Sequence, residues 1–384
     1  MRGGRYRAEW WRGCLLLACI SLPAAAGLAE TPPLVVQYIG DVITDASGGR
    51  DRGPSWISRL DVAYSTSDRL FGIDGAHAQA DIMLLRGGGF SAVHSGDYQV
   101  VDNIDAPHAV RPYEIWMEMP FGPRLRAKAG LIDLNNEFDQ QYVGALFLNS
   151  SFGIGPDLSQ SGPNGPSIFP ITAPGLVIAY QPPGWTARLG VFDARSGDVG
   201  RPHRFWPDSF GSDGALLIGE GHWQIGPLIG VQAGGWAYTD PQPRLDGSGA
   251  GTSAGGYGMI EARLTSRRDG RALRVWLRGG GATDTVNPID IYLGGGITWG
   301  DEKSALGIAF AHAQLGDPAH RLPIGGVRPD RAETAIEATG RWQLSTGLTI
   351  QPDAQYVVHP GWNPAYRNAL VLALRLDFRW LVGL

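Results

Sequence analysis

The chain has 384 residues and a formal net charge of −5, with 56 Gly, 27 Pro, 13 Trp, 12 Tyr and 12 Phe. So much Gly and Pro suits a helix-rich enzyme poorly and points to an all-β fold, and the acidic balance argues against a nucleic-acid partner. Beyond the leader no stretch approaches the run of about 18 apolar residues that a spanning helix needs, which excludes a helical membrane protein.

Arg2, Arg5, Arg7 and Arg12 precede the apolar run from Cys14 to Leu22, and small residues follow from Ala24 to Ala29. This is the layout of a secretory signal peptide. Residues 1–29 are expected to be removed, leaving 30–384 as one domain. Leu16-Leu17-Ala18-Cys19 faintly resembles a lipoprotein cleavage box, but it would leave only Cys14 to Ala18 as apolar core. Both cysteines lie in the leader, so the exported chain must hold without disulfides. Loss of the four Arg and of Glu9 leaves 28 basic and 36 acidic residues, a net charge of −8.

In chain order, the first clear strand sets Ala76, Ala78, Ala80 and Ile82 against His77, Gln79 and Asp81. A charged hairpin follows. Tyr113, Ile115, Met117 and Met119 alternate with Glu114, Trp116 and Glu118. After the turn Pro120-Phe121-Gly122-Pro123, Leu125, Ala127, Ala129 and Leu131 alternate with Arg124, Arg126 and Lys128. One face of this hairpin therefore sets two carboxylates beside three cations.

Asn149 to Pro170 is different: four Gly, four Pro, five Ser and the single charge Asp157, yet with Phe152, Ile154, Leu158, Ile168 and Phe169. A flexible linker would be poorer in large apolar side chains, so this stretch is expected to be an ordered loop packed on something.

Further strands follow. Leu273, Val275 and Leu277 oppose Arg274, Trp276 and Arg278, and Ile336, Ala338, Gly340 and Trp342 oppose Glu333, Glu337, Thr339 and Arg341. Leu348, Ile350, Ala354, Tyr356 and Val358 oppose Thr349, Gln351, Asp353 and Gln355. Last come the even residues Leu370 to Leu384 against Ala369, Val371, Ala373, Arg375, Asp377 and Arg379. Each is a strand with one greasy and one wet side.

A soluble sandwich also alternates. Strand length, alternately short and long Gly/Pro/Asp-rich connections and terminal aromatics favour a single transmembrane antiparallel barrel of the outer-membrane type, with about 16 strands. Trp223, Trp299, Trp342 and Trp380 are then expected in interfacial girdles. The hairpin's charged face would line the lumen, where Glu114, Trp116, Glu118, Arg124, Arg126 and Lys128 are the candidate solute-contacting residues, with Trp236, Trp276 and Tyr292 as further aromatic platforms. Sugar C–H faces lie on aromatic rings while Arg and carboxylate forks bond paired hydroxyls, so small neutral sugars are the expected solutes.

The segments "GLIDLNNEFD", "LFLNSSFGIGPDLSQSGPNGPSIFP", "PGLVIAYQPP", "GVFDARSGD" and "LTIQPDAQYVVHPGWNPAYRNALVLALRL" resemble the carbohydrate-selective porin (OprB) family, in the family's order. The resemblance implies an outer-membrane barrel, usually of sixteen strands, that passes monosaccharides such as glucose through a constricted lumen. It also makes Asn149, Phe152, Asp157, Asn164 and Phe169 members of an ordered segment inside or against the wall. Outer-membrane lipid and the barrel-assembly machinery are the implied partners, and self-association is left open. Two features depart from the pattern: the alternation runs past Phe378 and Trp380 to Leu384 rather than ending on an aromatic, and "DGSGAGTSAGG" replaces a richer segment.

No cofactor, metal or catalytic residue is implied. Gly251-Thr252-Ser253-Ala254-Gly255 is a formal G-x-S-x-G, but it lies in a glycine-rich loop without the helix that a nucleophile elbow requires. The alternatives left standing are a barrel enzyme acting on lipid, a general small-solute porin without sugar preference, and a soluble periplasmic sugar-binding protein, which would need βαβ units not visible here.

Overall fold

The structure, a computed structural model, describes residues 34–197, 204, 213–267 and 269–382. The leader expected at 1–29 and the terminal Leu384 lie outside the described residues. Among the described residues sixteen strands close into one antiparallel barrel. They are β1 (Leu34–Gly49), β2 (Gly53–Ser65), β3 (His77–Arg86), β4 (Ala109–Pro120), β5 (Leu125–Ile132), β6 (Ala173–Tyr180), β7 (Trp185–Asp193) and β8 (Ala215–Ile225). The second half comprises β9 (Ile229–Tyr238), β10 (Ala254–Ser266), β11 (Ala272–Ala282), β12 (Ile289–Gly300), β13 (Ser304–Leu315), β14 (Ala332–Ser345), β15 (Leu348–Val358) and β16 (Arg367–Val382). Neighbours in sequence pair throughout. β16 then returns to β1, with Gly40 opposite Leu376, so no strand edge is left for another chain to extend.

At one end the connections 121–124, 181–184, 226–228, 301–303 and 346–347 are short, and 66–76 is longer. In the first of these Gly122 has φ of +86°, and the Phe121 N–H donates to the Leu125 carbonyl at 2.7 Å. A side chain at 122 would strain that turn. At the other end lie the long connections 87–108, 133–172, 239–253 and 316–331.

The even residues of β16 face outward, as their alternation predicts. Leu372 is 41% exposed, whereas Ala369 and Val371 are fully buried. Ile336, Leu277 and Tyr356 point outward likewise. Trp185, Trp223, Trp342 and Trp380 are exposed near the short-turn ends of their strands, with Trp299 half-buried at the same end. Flat amphipathic rings collected there form a girdle where an apolar wall meets a polar surface.

One residue escapes the alternation. Asp81 pairs with Glu114 and Ile82 with Pro112, so Tyr113 is the extra residue of a bulge in β4. A bulge re-aims its side chain, and Tyr113 is buried inward, donating to Asp133, rather than lying on the outer face with Ile115.

The interior is largely filled. Connections 87–108 and 133–172 fold into the barrel, and Phe147 and Phe152 pack with wall residues Trp276 and Tyr292 in one core. The Phe152 ring is fully buried, 5.1 Å from Phe147 and 6.0 Å from Trp276 between centroids. Burial of such a side chain is worth about 1.5–3 kcal/mol, and this is what orders the Gly- and Pro-rich stretch. Trp236, Trp276 and Tyr292 are therefore buried beneath loops rather than open platforms.

Irregular backbone buried this way needs partners for its amides, and wall carboxylates supply them. Glu114 accepts from the Asp133 N–H (3.1 Å), Glu220 from Asp139 (2.8 Å) and Glu261 from Val143 (2.8 Å). Glu337 accepts from Leu148 and Asn149 (2.6 and 3.0 Å). Glu333 accepts from Tyr98, Gln99 and Gly361. A charged acceptor strengthens each bond.

Candidate functional site: the passage along one arc of the wall

A cavity of about 710 Å³ remains inside the barrel. Its strand lining, among the described residues, comes from β1 (Gln37, Ile39), β2 (Arg59, Asp61), β4 (Arg111, Tyr113) and β16 (Arg375, Arg379). The inward loops supply the rest, including Asn103, Asp133, Asn135, Gln140, Ile154, Asn164 and Phe169. Arg111 and Asn164 lie toward the long-loop end, Gln37 and Arg379 toward the short-turn end, so the lining extends along the barrel axis.

At mid-height Arg59 forks onto Asp61, with Nε 2.8 Å from Oδ2 and Nη2 2.7 Å from Oδ1. Its guanidinium lies 4.7 Å from the Tyr113 ring centroid and 4.9 Å from that of Phe169. The two rings meet edge to face at 6.2 Å. Carboxylate and rings together hold the Arg59 plane in place. Nearby, Arg375 donates to Asp41 (2.7 Å), Asp102 (3.1 Å) and Asn103 (2.9 Å), joining β16, β1 and the 87–108 loop. The passage thus offers fixed donors, fixed acceptors and two aromatic rings within one cavity.

The six hairpin residues lie elsewhere. Arg126 reaches Glu118 at 3.0 Å, and Lys128 lies 3.9 Å from Glu118, pairs with Glu137, and sits 4.0 Å above the Trp116 ring. The chain of charge continues through Arg188, 3.7 Å from Glu137 and 3.6 Å from Glu220. Trp116, Glu118, Arg126 and Lys128 are thus brought together toward the short-turn end. Arg124 is exposed in the turn itself, and Glu114 is buried against the Asp133 amide and Gln79. None of the six is on the wall of the 710 Å³ cavity.

In the 149–170 stretch, the Asn149 side chain donates to Gln355 (3.2 Å), and Asn164 donates to the Ser196 carbonyl (2.5 Å). Asp157 binds Arg278. Only Asn164 and Phe169 of the five singled-out residues border the cavity. Arg59 and Asp61 carried a legible signal, two charges at i and i+2 on one strand face, which the charged hairpin overshadowed. Tyr113 carried none, because its orientation comes from the bulge.

An apolar outer belt with an aromatic girdle, closed strand pairing, inward loops and a cavity along the axis that charged side chains border define an outer-membrane porin. The family described as carbohydrate-selective porin, OprB family, matches residues 65–380, and the chain belongs to that family. The high-pH structure of Pseudomonas putida OprB has a TM-score of 0.80 to this chain at 16% identity, over 91% of this chain and 94% of that one. The low-pH structure of the same protein gives 0.57 at 14% identity, over 91% and 93%. A mutant Rh. blastica porin gives 0.52 at 11% identity, over 90% and 99%. No curated protein matches the sequence. Family and fold are those of a channel.

Proposed function

We propose that glucose-like monosaccharides cross the outer membrane by passive diffusion through the 710 Å³ cavity, with Arg59, Asp61, Tyr113 and Phe169 as the contact site. The observation that carries this reading is the Arg59 guanidinium set against two neighbouring rings and forked to a carboxylate at the cavity wall. A sugar there exchanges hydration for paired polar contacts on one side and a ring face on the other. The contacts are few, so residence is short and the channel stays clear.

The hairpin cluster of Trp116, Glu118, Arg126 and Lys128 serves in this reading as an exit-side charge relay that keeps the periplasmic mouth hydrated, with Arg124 on its rim and Glu114 as a loop anchor. Residues 1–29 direct export and are removed, and 30–384 insert in outer-membrane lipid through the assembly machinery.

The test is a liposome-swelling panel of monosaccharides, disaccharides and small ions on the wild type, Arg59→Ala and Phe169→Ala. Monosaccharide flux exceeding that of similarly sized non-sugars, and falling in both variants while ion flux holds, supports the reading. Equal ratios in all three proteins would make this a general small-solute porin.

A further inference from the structure

We infer that Arg278, which lies outside the passage, sets the largest solute that passes, by holding the 133–172 loop back against the opposite wall. This deepens the proposal that sugars use the cavity along β16, β1, β2 and β4, and it rests on that reading.

Arg278 projects inward from the middle of β11 and is fully buried. Its Nε and Nη2 fork onto Asp139 at 3.1 and 2.8 Å, and its Nη1 and Nη2 engage Asp157, the latter at 3.1 Å. The rings of Tyr257 and Tyr292 lie 5.1 and 5.2 Å from the guanidinium carbon. One wall arginine thereby ties down two points of the loop at once, a geometry that a planar fork provides and a lysine cannot.

The approach is as close as backbone permits. A Cβ at Gly155 on the loop, or at Gly280 on the wall, would overlap the guanidinium or the Asp157 carboxylate. Asp139 is held at φ of +51°, a conformation that a non-glycine residue keeps only where its surroundings impose it. The Gly155 N–H also donates to Asp139, at 3.0 Å.

The residues beside these anchors face the other way. Gln140 follows Asp139, Ile154 lies just before Gly155, and Ser159 follows Asp157 by two residues; all three line the cavity. Across it stand Arg59, Tyr113 and Arg375. The position of the loop against β11 is therefore also the width of the passage. Without the guanidinium, two carboxylates buried at the wall lose their counter-charge, and the water they then require is in the lumen. The loop moves inward, and negative charge moves with it.

The experiment compares wild type, Arg278→Met, Arg278→Lys and the compensated triple variant Arg278→Met/Asp139→Asn/Asp157→Asn, each purified as heat-modifiable, folded barrel. The readouts are liposome swelling with a monosaccharide, a disaccharide and a trisaccharide, and the reversal potential in a salt gradient. Arg278→Met is expected to lose flux in an order that grows with solute size and to shift toward cations; Arg278→Lys does the same more weakly, and the triple variant returns the cation shift to the wild-type value. If Arg278→Met does not assemble, Arg278→Lys carries the test alone. An unchanged size order and reversal potential in folded Arg278→Lys, with monosaccharide passing the wild type, overturns the inference while leaving the passage reading standing. No monosaccharide preference in the wild type overturns the passage reading instead.

Discussion

Two arcs of the barrel wall carry the same inward alternation of charged and small residues and put it to opposite uses. On the arc from β16 through β1 and β2 to β4, Arg59, Arg111, Arg375 and Arg379 border an open cavity. On the arc from β8 to β14, Glu220, Arg278 and Glu337 are buried, and Glu261 half-buried, under a loop that they hold by its amides and carboxylates. A polar residue on the inner face of a porin strand is therefore no evidence that it meets solute. The partner decides: a loop amide consumes the charge, whereas a wall carboxylate beside an arginine leaves one edge of the guanidinium for the lumen.

The comparison breaks most readily at Glu337. Removing its carboxylate in Glu337→Ala leaves the Leu148 and Asn149 amides buried without an acceptor, at about 1–3 kcal/mol for each unsatisfied group. Limited proteolysis of the folded barrel is expected to cut between residues 140 and 155 in the variant and to spare the wild type, which keeps Phe152 under cover. Equal resistance would mean that apolar packing alone orders the loop.

Next comes the outer face. Leu372→Arg places a charge against lipid at a cost of about 2–4 kcal/mol at mid-depth, and the yield of heat-modifiable barrel should fall. The inward neighbour Ala373 is not the tolerant control that alternation suggests, since it is buried in the core with the loops. Ile39, half-buried at the cavity, is the better control, and Ile39→Arg should assemble normally.

A smaller effect is expected in the passage. Phe169→Ala removes one of the two rings beside Arg59, an interaction worth about 0.5–1 kcal/mol at a partly open site, so monosaccharide flux should fall a few-fold with little change in ion conductance. The counterpart at the hairpin is Arg126→Ala. Its ion pair with Glu118 is partly exposed and of the kind that contributes about 0–1 kcal/mol; assembly should be unchanged, and any change in flux should be less than that in Phe169→Ala. The reverse order would move the selective site to the short-turn end.

The smallest effect lies in a short turn, away from the cavity and the buried loop. In the turn 301–303, Asp301 accepts from the Lys303 and Ser304 amides at 2.9 and 2.8 Å. Those hydrogen bonds, the Ser304 amide foremost, hold its carboxyl below the usual range. A depressed folded value stabilises above the unfolded pKa of about 3.9 and loses that contribution as pH falls through the lowered value. Thermal unfolding of Asp301→Asn against wild type should differ slightly near neutral pH and converge as the pH falls through the lowered value.

The sequence by itself determined the barrel, its inside and its outside. Period-two alternation with Leu, Ile and Trp on one face admits only one register between lipid and interior, because a slip of one residue exposes every polar side chain to lipid. The same pattern put Glu333, Glu337, Arg278 and Arg375 inward, and the buried aromatics of Asn149 to Pro170 announced an ordered loop. Only the tertiary structure decided which inward charges meet the passage. That depends on where a 40-residue connection lies inside the barrel, on contacts between residues far apart in the chain such as Arg278 with Asp139, and on a single bulge that turns Tyr113 from lipid to lumen. Local pattern sets the face of a strand; which part of that face stays open is set by long-range packing, to which period-two alternation is blind.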